Sequence, residues 1–123
     1  MAHCVLLIEH DPAVQAQVGH ALHEAGFIVM SLADAEEALD LLDLFLFDLV
    51  LADVGTLRYA GHAGSGLTTL MRAIRPAPLL RFTTPHTMGP AGAQGAFLIN
   101  QIPHDLPRLL DAVQALLRQP VAV

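Results

Sequence analysis

Phe47-Asp48-Leu49-Val50-Leu51-Ala52-Asp53 is the stretch on which the fold turns. Four apolar residues stand in succession between acids. A strand covered on one face alternates apolar with polar residues. An unbroken apolar run of this length marks a strand buried on both faces, as in a parallel sheet. Asp53 stands where the run ends. In open α/β sheets ligands collect outside the carboxyl ends of the strands. A carboxylate there is costly to bury unless something pairs with it. Asp53 is therefore a candidate site residue, with a strand-end or loop cap as the plainer alternative.

Upstream, Cys4-Val5-Leu6-Leu7-Ile8 is a second apolar run, strand β1, and it ends in Glu9-His10-Asp11-Pro12. Asp11 suits a helix N-cap and Pro12 the first helical position, where a missing N–H costs nothing. Helix α1 follows, with Val14, Val18, Ala21 and Leu22 on one face, and Gly26 is placed to end it. Phe27 to Leu32 reads as β2. Asp34 and Glu37 have capping-box spacing for α2, whose Ala38, Leu41 and Leu42 face inward. Leu44 to Phe47 is an apolar connection into β3, which ends at Asp53.

Downstream, Val54 to Ser65 is a loop rich in glycine and small residues. Helix α3 is expected over about residues 67–74, striped by Leu67, Leu70, Met71 and Ile74 and stopped by Pro76 and Pro78. Leu79 to Phe82 is β4, followed by Thr83. Residues 85–95 stand where the alternation calls for a fourth helix, α4. Two prolines and three glycines make that helix short or missing. Ala96 to Ile99 is β5. Asp105 caps a last helix, α5, over Leu106 to Arg118, with Leu109, Leu110, Val113, Leu116 and Leu117 packing inward. The expected fold is α/β: a doubly wound, five-stranded parallel sheet of flavodoxin-like order 2-1-3-4-5. Residues 1–123 make one domain.

Composition narrows the function. The chain has 123 residues, 54% of them hydrophobic, which supports one core and argues against disorder. Net charge is −6, with no lysine, so a basic nucleic-acid surface is not expected. No apolar run reaches the roughly 18 residues of a membrane span, and no export signal is visible, so a cytoplasmic protein is expected. Cys4, the single cysteine, fits a reducing compartment and reads as a small core residue.

The alternation brings the acids after β1, Asp53 after β3 and Thr83 after β4 to one edge of the sheet. Clustered carboxylates repel, and a divalent cation relieves that. Mg²⁺ also suits a phosphate, because it binds through one or two carboxylates plus phosphate oxygens. An Asp beside it can accept a phosphoryl group.

These residues resemble the receiver domain of bacterial two-component response regulators over nearly the whole chain. Val5-Leu6-Leu7-Ile8-Glu9-His10-Asp11-Pro12 is similar to the family's first strand and acidic turn. Gly26-Phe27-Ile28-Val29 and Ala35-Glu36-Glu37-Ala38-Leu39 resemble its second strand and helix. Asp48 to Asp53 matches the stretch that ends in the phosphoacceptor. The resemblance implies that Asp53 accepts a phosphoryl group in a phosphorelay. Glu9, Asp53 and the carbonyl of Gly55 would hold Mg²⁺, and the Thr83 hydroxyl would contact the phosphoryl oxygen and switch inward. It implies a histidine kinase or phosphotransfer protein as donor, a downstream protein target, and no enzymatic activity. A stand-alone receiver without an output domain is expected, signalling through protein contacts.

The sequence departs from that family at its chemistry. His10 stands at the second acidic position, and neutral imidazole is a poor Mg²⁺ ligand. Asp11 is the substitute oxygen, one residue along and claimed as an N-cap. The family's lysine after β5 is replaced by Asn100, Gln101 or Ile102, before Pro103. Arg81, within β4, is less suited to that role. Protonated His10 would neutralise part of the acidic cluster and lower the need for metal. Two readings follow: an atypical phosphorylated receiver, or a phosphorylation-independent pseudo-receiver that binds proteins. A homodimer is compatible with both, although the weak α4 disfavours pairing through α4-β5-α5.

Two other signals carry less. Gly61-His62-Ala63-Gly64-Ser65-Gly66-Leu67-Thr68 has P-loop glycine spacing but Leu67 in place of lysine, so a nucleotide-binding P-loop-like protein is a remote alternative to a flexible insertion. His20 and His23 share a helix face without a third ligand and read as solvated. Met30, Met71 and Phe97 fall on core positions.

Overall fold

Five parallel strands lie in the order β2-β1-β3-β4-β5. They belong to a computed structural model that describes residues 3–53, 77–82, 98–99 and 106–118. The strands are β1 (Cys4–Ile8), β2 (Ile28–Leu32), β3 (Leu49–Asp53), β4 (Leu79–Phe82) and β5 (Leu98–Ile99). The helices are α1 (Pro12–Glu24), α2 (Ala35–Leu42) and α5 (Leu106–Arg118). The expected α3 and α4, the glycine-rich loop, Gly55, Met71, Thr83, Phe97, Asn100, Gln101, Ile102 and Pro103 lie outside the described residues.

The unbroken apolar runs have the expected cause. Every residue of β3 and of β4 is buried. Alternation sorts their side chains onto two faces. Val5, Leu7, Leu49, Leu51, Leu80 and Phe82 pack against Val14, Val18 and Leu22 of α1 and Leu109 and Val113 of α5. Leu6, Ile8, Val50, Ala52 and Leu79 pack on the opposite face against Ala38 of α2. Fully burying a side chain such as Leu7 or Leu51 contributes about 1.5–3 kcal/mol. The alternating helices and sheet therefore hold β1 and β3 side by side at the centre, where their carboxyl ends form the site.

Local signals set the helix ends. The Asp11 side chain accepts the Ala13 N–H at 2.9 Å at the start of α1. The Asp34 side chain accepts the Glu37 N–H at 2.8 Å at the start of α2. At the end of α1, Gly26 has φ 95°, a left-handed conformation that favours glycine. Gly26 N–H donates to His23 C=O and Phe27 N–H to Leu22 C=O, which completes a Schellman cap. That cap is why β2 begins at Ile28, one residue later than the apolar pattern indicates. The N–H of Phe27 belongs to the helix end, and its ring is buried beside Leu22.

The connection from α2 to β3 is less buried than its composition suggests. Leu44, Phe45 and Leu46 are exposed, and Phe47 alone turns inward. The N–H groups of Leu44 and Phe45 both return to Leu41 C=O at 3.0 Å. That tight turn commits the backbone to the helix end and leaves these side chains outside.

Candidate functional site

The β1–β3 register pairs Leu7 with Leu51 and Ile8 with Ala52. One further step brings Glu9 beside Asp53. Both follow Leu7 and Leu51 by two residues, so both keep to the same side of the sheet. Glu9 and Asp53 are each 0% exposed. With His10 they form one group whose potential ligand atoms all lie within 4.8 Å of one another. Among the described residues this is the one cluster of three or more such side chains, so His20 and His23 gather no third ligand. His20 instead pairs with Glu24 at 3.2 Å on the solvated face.

Several bonds hold Glu9 in place. Its backbone N–H donates to Leu32 C=O at 2.9 Å. Its Oε1 accepts the Asp11 N–H at 2.9 Å. The amide of Gln15 donates to the Glu9 carbonyl at 3.2 Å. Gln15 has no sequence signature for this role, because its contact depends on how α1 leaves the strand. His10 Nδ1 lies 3.4 Å from Glu9 Oε1, with the imidazole 47% exposed. Asp11 is committed as the N-cap, as its position before Pro12 implies.

Burial pushes the Glu9 carboxyl up to about 8, aided by a hydrogen bond shared with Asp53 and by the charges of Asp53 and Asp11. The Asp11 N–H opposes this only in part. Glu9 thus binds a proton at neutral pH in the metal-free protein. In its charged form, Oε2 of Glu9 is buried with no hydrogen-bond donor among the described residues. A buried, unmatched carboxylate oxygen beside a second buried carboxylate suits a hard divalent cation. Glu9 and Asp53 fit such an ion. His10 adds no oxygen to it.

Arg81 is also buried, at 6% exposure. It pairs in register with Ala52. Alternation places it with Leu79 on the sheet face opposite Asp53 and Phe82. Cys4 is half-buried against the α2-side core. Burial and the Asp48 charge raise its thiol pKa, consistent with a packing residue.

A five-stranded parallel sheet of order 2-1-3-4-5 is the fold of solved response-regulator receivers. Solved structures agree. A chemotaxis response regulator of Vibrio cholerae superposes with TM-score 0.72 at 24% identity, covering 94% of this chain and 99% of its own. A response regulator from Thermotoga maritima gives TM-score 0.75 at 18% identity, over 97% and 100% of the two chains. The receiver domain of a Pseudomonas aeruginosa PAO1 sensor histidine kinase, solved with a magnesium ion in its active-site cleft, gives 0.72 at 19% identity over 97% and 100%. No family model and no curated protein matches the sequence. Among the described residues no helix is long and apolar enough to cross a membrane.

Proposed function

We propose that this protein is an atypical receiver that accepts a phosphoryl group on Asp53 and signals through protein contacts. The observation that carries this reading is the pair of fully buried carboxylates, Glu9 and Asp53, at the carboxyl ends of adjacent central strands. Charge buried this way is costly, and a fold keeps it where chemistry uses it.

In this reading an oxygen of Asp53 attacks the phosphorus of a phosphohistidine on a histidine kinase or phosphotransfer protein. The P–N bond breaks, its electron pair stays with the imidazole, and an acyl phosphate forms on Asp53. Glu9 and Asp53, with the Gly55 carbonyl, would hold Mg²⁺, which when bound would supply charge neutralisation at the transferring phosphoryl group. The Asp11 N–H and the Gln15 amide orient Glu9. Thr83 contacts the phosphoryl oxygen and shifts the equilibrium read by a downstream protein. The protein is then a cytoplasmic signalling switch, not an enzyme.

A second reading has its own support. Glu9 carries a proton at neutral pH and His10 lies against it, so the cluster is tolerable without metal. A phosphorylation-independent pseudo-receiver would need no more. Intact-mass spectrometry after incubation with Mg²⁺ and acetyl phosphate separates the two. The expected result is one phosphoryl adduct on wild type and none on Asp53→Asn. No adduct from either acetyl phosphate or a panel of phosphorylated histidine-phosphotransfer proteins would sink the phosphoacceptor reading.

A further inference from the structure

Glu9 and His10 are consecutive, yet both reach one site. In a continuing strand their side chains would point to opposite faces of the sheet. Strand β1 instead ends at Ile8, and the chain bends at His10 on its way to α1. The Asp11 N–H donates to Glu9 Oε1 at 2.9 Å and ties this bend to the carboxylate. The imidazole is thereby set beside Glu9, with Nδ1 3.4 Å from Oε1. Asp53 completes the group from β3, and the three potential ligand atoms lie within 4.8 Å of one another.

The nitrogen changes what the group can hold. Mg²⁺ takes oxygen ligands in a near-ideal octahedron, whereas imidazole and carboxylate together suit Zn²⁺ and its first-row neighbours. Zn²⁺ binds such ligands at about 2.0–2.2 Å, and two of them in a tetrahedral set then stand about 3.4 Å apart. The separation of His10 Nδ1 and Glu9 Oε1 already has that value. Burial gives an independent sign. Glu9 is fully buried, and in its charged form Oε2 has no hydrogen-bond donor among the described residues. A charge pair between His10 and Oε1 leaves that second oxygen unmatched, and a cation held by the group does not. The Asp11 N–H on Oε1 is the kind of outer hydrogen bond that orients a metal-bound carboxylate.

We propose that Glu9, His10 and Asp53 form a mixed nitrogen–oxygen site for a divalent transition-metal ion of the Zn²⁺ class, with His10 as a direct ligand. Selection over Mg²⁺ comes from the imidazole, which a hard cation does not use. The site is the one used in the receiver reading, but metal selection needs no phosphoryl transfer and is measured without a phosphodonor. The two readings therefore fail separately.

Calorimetric titration of the full chain with Zn²⁺ and, separately, with Mg²⁺ tests this in wild type and His10→Ala. The expected result is a Zn²⁺ dissociation constant that rises about tenfold or more in His10→Ala, while the Mg²⁺ constant changes by less than about twofold. The chain holds seven histidines, and His20 and His23 share a helix face. A His20→Ala/His23→Ala double variant therefore runs alongside and should keep the Zn²⁺ affinity of wild type. Nitrogen-15 NMR of the imidazoles adds a direct readout, since stoichiometric Zn²⁺ should shift the His10 ring. Zn²⁺ affinity that is unchanged in His10→Ala, or is lost in the double variant instead, overturns the inference. So does an equal loss of both ions, which would make His10 a structural neighbour and not a ligand. If His10→Ala does not fold, the wild-type spectrum decides: a His10 ring that Zn²⁺ leaves unshifted overturns the proposal.

Discussion

Nδ1 of His10 lies 3.4 Å from Oε1 of Glu9, an exposed ring edge against a fully buried carboxylate. The imidazole stands within 4.8 Å of the Glu9 and Asp53 carboxylates and offers them no oxygen. His10→Asp adds a carboxylate oxygen there, and calorimetric Mg²⁺ titration at pH 8 is expected to show affinity tighter by on the order of tenfold. Equal affinities for the two proteins would show that His10 does not tune metal demand.

Glu9 predicts a pH dependence with a definite sign. Its carboxyl is raised from the ordinary 4.5 to about 8 in the folded chain. Between those values the folded state holds a proton that the unfolded chain has released. Its contribution to stability is complete below about pH 4.5 and is lost as pH rises to about 8. Thermal melts in chelator should therefore fall across this window through the Glu9 contribution, and Glu9→Gln should flatten that component. Mg²⁺ takes the proton's place, so its stabilising effect should grow from pH 6 to pH 8. A metal effect independent of pH would contradict the shared site.

Asp53→Asn separates stability from signalling. The change removes one of two adjacent buried charges, and with it a cause of the raised Glu9 value. In chelator the variant should melt higher than wild type, on the order of 5 °C at pH 8, while losing Mg²⁺ binding and the phosphoryl adduct. A lower melting temperature would mean that Asp53 chiefly serves packing or capping.

The core and the caps should rank in a fixed order. Leu51 is fully buried at the centre of β3, and Leu51→Ala is expected to cost about 2–5 kcal/mol in urea unfolding. Asp34→Ala loses the bond to Glu37 N–H and should cost about 1 kcal/mol. Comparable costs for the two would place the stability of the fold in its helix ends and not in the sheet.

The sequence by itself determined the strand order and most of the element bounds. The unbroken apolar runs at 5–8 and 49–52, and Leu79, Leu80 and Phe82 around Arg81, are buried between two helical layers, and Asp11-Pro12, Asp34 and Gly26 punctuate the chain through bonds within a few residues. Local chemistry of that kind is readable without a structure. Glu9, His10 and Asp53 were also legible as candidates, because strand ends on one sheet edge must converge. Tertiary structure alone decided the rest. Glu9 binds a proton because burial and Asp53, forty-four residues away, act on it together. Gln15 reaches the Glu9 carbonyl only through the path of α1. Leu44, Phe45 and Leu46 belong to an apolar connection, yet they stand in water after a turn in which the N–H groups of Leu44 and Phe45 return to Leu41. Burial and charge coupling depend on neighbours brought together by the sheet, and no window of sequence contains those neighbours.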